Sequence, residues 1–221
     1  MRSGVPRWPA RGGVEDLGAV MEMASFLARA PAAPAGLGVA VVSTSGGACI
    51  LAADAAERHG VPLPQSGAAT QAVLDGRIPE YGSARNPCDL TAQVLNDPEA
   101  LAACTGALAR DPAFGLLLYP NIHAYPFSLS RIPVMAEIAA CEGRFLCVPW
   151  VAEHREGKGV VEAEAVPGAA LFASVWSAAS PPSPLGRRAR HAGRSHQPRR
   201  PRCWTRRSTR AWPRCWRARR C

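Results

Sequence analysis

The sequence contains no run of about 18 consecutive apolar residues, which is roughly the length that a membrane-spanning helix needs. Met1–Pro9 lacks the apolar stretch of a secretory signal, so a cytoplasmic location is expected. No two cysteines have the CxxC spacing, and no disulfide or zinc site is expected. The cysteines of the first 175 residues are therefore expected to be reduced core thiols; they are Cys49, Cys88, Cys104, Cys141 and Cys147.

Acidic residues are absent from the last 46 residues, and this absence divides the chain. Met1–Val175 contains 12 Lys and Arg against 17 Asp and Glu, a net charge of −5. Trp176–Cys221 contains 14 Arg, no Lys and no acidic residue, a net charge of +14. The overall charge of +9 therefore arises from the C-terminal segment, and the body gives no indication of nucleic-acid binding.

Residues 176–221 also lack any apolar period of 2 or 3.6 and are rich in Arg, Pro, Ser, Trp and Cys. GC-rich DNA read in a wrong frame tends to encode these residues. The absence of Lys favours a frameshift that begins near Val175–Trp176 and leaves a disordered tail. The alternative is a genuine Arg-rich arm that binds RNA or DNA through interleaved aromatic side chains.

Strand-like apolar segments alternate with helical patterns through the body, which predicts an α/β domain with a parallel sheet covered on both faces. Residues 1–35 are expected to form a helical lead-in and linker, residues 36–175 the α/β domain, and residues 176–221 the tail. The predicted strands are Val39–Val42, Val61–Gln65, Phe114–Tyr119, Arg144–Pro149 and Val166–Phe172. The predicted helices are Val14–Ala30, the segment from the glycine pair to His59, Ala68–Leu74, Asp97–Ala109 and Leu129–Cys141.

Apolar spacing also predicts which faces of the first two helices are buried. The expected stripe of the first helix consists of Leu17, Val20, Met21, Ala24 and Leu27. In the second helix, the apolar side consists of Ile50, Leu51, Ala53 and Ala56, and the polar side of Asp54, Glu57 and Arg58.

The segment Gly38–Asp54, GVAVVSTSGGACILAAD, combines a buried strand, a glycine turn and a helix. This arrangement aims free backbone N–H groups and the positive end of a helix at one point, which suits a phosphate or a carboxylate. The glycines let the backbone approach a ligand closely. The predicted phosphate-binding residues are Thr44, Ser45, Gly46, Gly47 and Ala48. The spacing is neither GxGxxG nor a Walker loop, so an ordinary turn between strand and helix is the alternative.

Three further residues are expected to line the same site, because ligands of parallel sheets bind at the carboxyl ends of the strands. His123 follows the strand that ends near Tyr119, and Asn86 and Asp89 belong to a polar loop that enters a short apolar piece. Asp89 has a second interpretation, in which it orders its own loop through an Asx turn.

Two segments resemble the nucleoside-diphosphate-forming acyl-CoA synthetases, the family that includes succinyl-CoA synthetase and ADP-forming acetate–CoA ligase. They are VAVVSTSGGACILAAD at Val39–Asp54 and RNPCDLT at Arg85–Thr91, within a similarity of pattern that covers about Val5–Val175. The first keeps the family's glycine pair and Asp54, but has Ser43-Thr44-Ser45 where the family often has an Asn. The second matches the family's Asn-Pro-x-Asp element at Asn86, Pro87 and Asp89.

The resemblance implies a flavodoxin-like, succinyl-CoA synthetase-like, doubly wound parallel sheet. In the family, a phosphohistidine lies between the N-termini of two helices from two such domains, and the Gly46-Gly47 turn resembles one of the two. The family uses CoA, ATP or ADP, and Mg. None of these is expected to bind to this chain alone, because the CoA-binding, His-bearing and ATP-grasp parts would be partner domains or subunits.

The resemblance leaves three functions open. The chain has no Ser-His-Thr-Gly element, so no catalytic residue is assigned and a partial synthetase domain, inactive alone, is expected. The alternatives are a separate non-catalytic subunit that completes a CoA ligase, and the synthetase-like segment of a protein acetyltransferase. Neither a nucleic acid nor a membrane is expected as a partner.

Overall fold

The computed structural model describes residues 17–30, 38–122, 130–151 and 160–179. Its strands are β1 (Gly38–Ser43), β2 (Cys88–Asp89), β3 (Phe114–Leu118), β4 (Leu146–Pro149) and β5 (Ala169–Phe172). Its helices are α1 (Leu17–Arg29), α2 (Gly46–His59), α3 (Ala68–Asp75), α4 (Pro98–Arg110), α5 (Arg131–Cys141), α6 (Val160–Glu164) and α7 (Val175–Ala179), with a short 3-10 helix at Ala92–Asn96.

The five strands form an all-parallel sheet in the order β2-β1-β3-β4-β5, which is the strand order of the flavodoxin-like fold. Along β1, β4 and β5, successive apolar side chains belong alternately to two apolar clusters, one on each face of the sheet. On β1, Val39 and Val41 pack with α1, α2 and α7, whereas Ala40 and Val42 pack with α3, α4, α5 and α6. The predicted doubly wound α/β fold is thus confirmed.

The strand predicted at Val61–Gln65 is wrong, because this segment has no regular structure. Pro62 and Pro64 lack the N–H groups that a ladder requires, so the segment contributes single contacts, such as the carbonyl of Pro62 that accepts from Val39 N–H at 3.1 Å. The edge strand beside β1 is instead the short β2, in which Cys88 pairs with Val42.

Beside β1, between the 61–65 segment and β2, the side-chain carboxamide of Asn86 makes the hydrogen bonds that a neighbouring strand would make. Its Oδ1 accepts from Val41 N–H at 2.8 Å, and its Nδ2 donates to the carbonyls of Val39 and Pro64, both at 2.8 Å. The backbone of Asn86 is bound in turn by the amide side chain of Gln65. The edge of β1 is therefore completed by a side chain.

The apolar stripe predicted to bury α1 faces outward, so that prediction is wrong. All five residues of the stripe are exposed: Leu17, Val20, Met21, Ala24 and Leu27. The opposite side of the helix contacts the sheet, and there Phe26 packs edge-on against Phe145 with ring centroids 5.2 Å apart. Glu22 accepts from Ala173 N–H at 2.7 Å on the same side.

The face predicted for α2 is also wrong except at Ala56. The buried residues are Ala48, Cys49, Ala52, Ala55 and Ala56, while Ile50 and Leu51 are exposed and Ala53 is half-buried. Small side chains let this helix lie close against β1, and the branched side chains occupy the outer side. Size, and not apolar character alone, selects the buried face here.

Four of the five cysteines are buried thiols as predicted, but Cys141 is exposed, which corrects the prediction for that residue. The pKa of Cys49 is raised to about 12 and that of Cys104 to about 11, mainly because both thiols are buried. Both thiols are therefore protonated at neutral pH.

Helix α7 continues past the expected boundary at residue 175, since Ala178 and Ala179 are buried in the same cluster as Val175. Residues 180–221 lie outside the described residues, so the interpretation of the tail stays a prediction. None of the helices in the described ranges is long and apolar enough to cross a membrane.

Candidate functional site

The site predicted from the glycine turn lies at the carboxyl end of β1, between β2 and β3. The winding of the chain reverses direction here, and ligands of open α/β sheets bind in the crevice that this reversal opens. Ser43 ends β1, and its hydroxyl donates to the carbonyl of Pro120, after β3, at 3.3 Å. The same oxygen accepts from Ser45 N–H at 3.3 Å, so the two loops are tied together.

The first turn of α2 follows directly from this crevice. Ser45 has extended backbone angles (φ −147°, ψ 122°), and its hydroxyl caps the helix by accepting from Ala48 N–H at 3.4 Å. The N–H groups of Gly46 and Gly47 come first in the helix, where no preceding carbonyl within the helix can accept them. The aligned peptide dipoles add a partial positive charge at this end.

The glycines are not required by a left-handed backbone, because neither Gly46 nor Gly47 has a positive φ. A Cβ at residue 46 would lie 3.0 Å from Oδ2 of Asp89, tighter than an ordinary contact. A Cβ at residue 47 would meet only the hydroxyl of Ser45, at 3.8 Å. The glycine at 46 thus accommodates Asp89, whereas the exposed Gly47 leaves the turn open to solvent.

Asp89 both orders its own loop and lies beside the first turn of α2. Its Oδ1 accepts from Thr91 N–H at 2.9 Å, which is the Asx-type contact expected from the sequence. Its backbone pairs with Ser43 in the sheet, and this pairing places Oδ2 against Gly46. A carboxylate in this position is stabilised by the positive end of the helix.

The remaining two predicted site residues are Asn86 and His123. Asn86 lies beside β1 with its carboxamide bonded to backbone groups of Val39, Val41 and Pro64, so a ligand contact by its side chain stays a prediction. His123 lies outside the described residues.

Two residues outside the predicted phosphate-binding set also contact the turn or its neighbours. Ser43 bridges the loops after β1 and β3, and its only sequence signal is a polar residue at the end of an apolar strand. Cys49 lies one turn into α2, and its thiol donates to the carbonyl of Cys88 at 3.5 Å. Burial, and secondarily the charge of Asp89, raises its pKa to about 12, which is incompatible with a thiolate nucleophile at neutral pH.

The first turn of α2 thus presents backbone N–H groups at the crevice, with the carboxylate of Asp89 beside them. Within the described ranges, no cluster of three or more His, Cys, Asp or Glu could hold a metal ion.

The chain matches no protein-family model and no curated protein. It is similar in structure to PH0766 from Pyrococcus horikoshii OT3, with a TM-score of 0.64 at 18% identity over 81% of this chain and 41% of that chain. It is also similar to the dinucleotide-forming acetyl-coenzyme A synthetase 1 of Ca. Korarchaeum cryptofilum. The form in complex with phosphate and ADP gives a TM-score of 0.64 at 19% identity over 81% of this chain and 38% of that chain. The apo form gives 0.60 at 19% identity, over 81% and 39%.

At these identities the similarity shows a shared fold. The chain has the fold of one part of an acetyl-CoA synthetase, and it spans about two fifths of the length of the solved chains that it matches.

Proposed function

We propose that this chain is one flavodoxin-like domain of a nucleoside-diphosphate-forming acyl-CoA synthetase, and that α2 directs its N-terminus at the phosphate, or phosphohistidine, of that enzyme. The observation that carries the proposal is the pair of N–H groups at Gly46 and Gly47, at the point where the winding of the sheet reverses. The His-bearing, CoA-binding and ATP-grasp parts belong to partner domains or subunits in the cytoplasm. Those parts bind CoA, ATP or ADP, and Mg.

The residues of the turn fit an anion in part. Two oxygens of a phosphate can accept from Gly46 and Gly47 N–H, and the exposure of Gly47 leaves the approach open. The carboxylate of Asp89 opposes a second negative charge in the same place. The isolated chain is therefore a weak half-site, and a second positive helix end from a partner domain would complete it.

The chain's own contribution to the reaction is to orient the phosphoryl group and to offset its charge. Ser45 and Ser43 fix the turn through their hydroxyls, so that the N–H groups point to one place without reorganisation. The neighbouring thiol of Cys49 is protonated and moves no proton. The similar Korarchaeum enzyme was solved with phosphate and ADP, which supports phosphate as the ligand class.

A phosphate titration followed by amide NMR shifts tests the proposal on the full chain. We expect the amides of residues 44–48 to shift, with a dissociation constant in the millimolar range. Gly46→Pro removes one N–H, and the extended Ser45 is compatible with a following proline. Gly46→Ala is the matched control, because it adds the same Cβ beside Asp89 and keeps the N–H. The proline variant should bind about tenfold more weakly than the alanine variant, the effect of one hydrogen bond to a charged group.

The charge of Asp89 provides a second arm of the same experiment. Asp89→Asn removes the repulsion while keeping the size of the side chain, so phosphate should bind more tightly than to the unchanged protein. If shifts cluster in the Arg-rich segment while the amides of 44–48 stay still in both Asp89→Asn and the unchanged protein, the turn is not a phosphate site.

Activity gives an independent check. The purified chain should not form acyl-CoA from acid, CoA and ATP, since no residue matches the family's phosphorylated histidine. Turnover with a phosphohistidine mapped to His59, His123 or His154 would show instead that the chain is a complete catalyst.

A further inference from the structure

Helix α1 has large apolar side chains on both of its sides: Met23 and Phe26 are buried, and a second apolar set is exposed. Of its two charged side chains, Glu22 is buried and accepts from Ala173 N–H, whereas Arg29 is exposed and donates to the carbonyls of Ala169 and Glu164. The exposed apolar set is the α1 stripe, which we define as Leu17, Val20, Met21, Ala24 and Leu27, and the exposed Arg29 lies outside it at the end of the helix.

The exposure of the stripe is large. Leu17 is 77% exposed and Met21 is 65% exposed. A surface helix ordinarily turns its apolar stripe to the core and its charges to solvent, and a contiguous exposed apolar stripe marks an interaction surface.

The exposed large apolar side chains, those of the stripe included, are concentrated on one side of the sheet. Seven of the ten large apolar side chains that are exposed in the described ranges belong to α1, α2 or α7. These seven are Leu17, Val20, Met21, Leu27, Ile50, Leu51 and Trp176. Since α1, α2 and α7 share one apolar cluster, a single partner can cover this layer.

The stripe also lies near the carboxyl ends of the strands, where the turn at residues 44–48 is found. Glu22 contacts Ala173 just after β5, whereas Arg29 contacts Ala169 at its start, so α1 runs antiparallel to β5. The N-terminal half of α1 thus lies at the carboxyl ends of the strands. Three strand spacings of about 4.8 Å separate β5 from β1, roughly 14 Å, which is within the width of one domain.

We propose that the α1 stripe docks the His-bearing part of the synthetase, through an uncharged apolar helix face on that partner. This inference rests on the proposed function. The solved chains that share this fold extend well beyond it, since the match covers only 38–41% of their length, so most of such an enzyme is available to cover the stripe. A partner seated there and over Ile50 and Leu51 would bring a histidine to the first turn of α2.

Photo-crosslinking tests the occupant in the full chain, expressed in the organism that encodes it. A benzophenone amino acid replaces Met21, and in a matched control it replaces Val161, which is 75% exposed on α6, on the other face of the sheet. Cross-linked peptides are identified by mass spectrometry. We expect Met21 adducts on a polypeptide that carries a CoA-ligase His element, at an apolar helix, and no such adduct from Val161.

A second variant makes the result quantitative. Leu17→Arg places a charge in the proposed contact and should lower the yield of the Met21 adduct at least about tenfold. Adducts to a second copy of this chain, to a protein of another class, or no more adduct than from Val161 would each overturn the proposal.

The phosphate titration separates this inference from the proposed function. Leu17→Arg should leave the shifts of residues 44–48 unchanged, because Leu17 lies on α1, outside the turn. If those shifts occur while Met21 gives no synthetase adduct, the docking inference alone fails. If Met21 gives the adduct while phosphate leaves residues 44–48 unmoved, the phosphate role alone fails.

Discussion

The carboxamide of Asn86 shows how one side chain can hold an edge of this sheet. It provides an acceptor for Val41 N–H and donors for the carbonyls of Val39 and Pro64, so every polar atom of the group has a backbone partner. The residue is almost fully buried, and water is therefore unavailable as a substitute. Its place in an Asn-Pro-x-Asp element has a structural explanation that requires no ligand.

Asn86→Ala should accordingly destabilise the domain strongly. The substitution leaves a buried N–H and a buried carbonyl of β1 without partners, and each such group costs about 1–3 kcal/mol. We expect the free energy of unfolding to fall by about 2–5 kcal/mol in urea titrations. Gln93→Ala, at an exposed residue of the 3-10 helix, is the control and should change it by less than about 0.5 kcal/mol. A loss below about 1 kcal/mol for Asn86→Ala would mean that water or another group replaces the carboxamide.

At the scale of elements, the sequence predicted most of the helices and strands but not the helix faces. The buried strands β3, β4 and β5 are apolar runs, and runs of this kind are recognisable without tertiary information. The face of α2 was misjudged because its large apolar residues lie outward while small residues are buried. The face of α1 was misjudged because this helix has large apolar residues on both sides, with Met23 and Phe26 buried. The period of the apolar residues does not show which of two apolar sides is buried.

The candidate site was predictable only in part for a similar reason. The glycine turn is local and has a pattern, whereas the contact between Asp89 and Gly46 joins residues far apart in the chain. The two-residue β2 that creates this contact is too short to show an alternation. The Val61–Gln65 segment is apolar enough to predict a strand, but its prolines remove the donors that a strand needs.

Asp111 joins three elements through one carboxylate. It ends α4, and its two oxygens accept from Gly67 N–H at the start of α3 (2.8 Å) and from Ala113 N–H just before β3 (2.9 Å). Burial by itself raises the pKa of this carboxyl. The hydrogen bonds from Ala113, Gly67 and Thr70 and the charge of Arg144 outweigh burial, so the pKa lies below its ordinary value of 3.8.

The lowered pKa of Asp111 gives a pH dependence of defined sign. The stabilisation is fully present above pH 3.8 and is lost as the pH falls through the pKa of the folded state. Asp111→Asn should lower the free energy of unfolding by about 1–3 kcal/mol at pH 7, and by less near pH 3. Urea titrations between pH 3 and 7 measure this, with Asp54→Asn, at an exposed residue of α2, as the control. A deficit independent of pH would show that hydrogen-bond geometry, and not charge, is what Asp111 contributes.

At the scale of the whole molecule, the described fold and the charge boundary nearly coincide. The acidic body folds into the sheet and its two helix layers, and the described structure reaches Ala179, four residues beyond the boundary set by charge. The fold has the strand order of a flavodoxin-like domain and corresponds to about two fifths of the solved chains that it matches. A unit of this size can fold by itself.

Deletion of residues 180–221 should leave the thermal midpoint of the body within about 2 °C of that of the full chain, because this segment has no apolar period with which to form a packed face. Deletion from Val175 also removes α7, whose Val175, Ala178 and Ala179 are buried, and should lower the midpoint by about 5–10 °C. The longer deletion is the positive control, since it shows that the assay detects the loss of one short packed helix. A fall of similar size on removing 180–221 alone would show that the Arg-rich segment packs on the body. The frameshift interpretation would then be wrong, and resequencing the locus would be expected to find one continuous reading frame through Cys221.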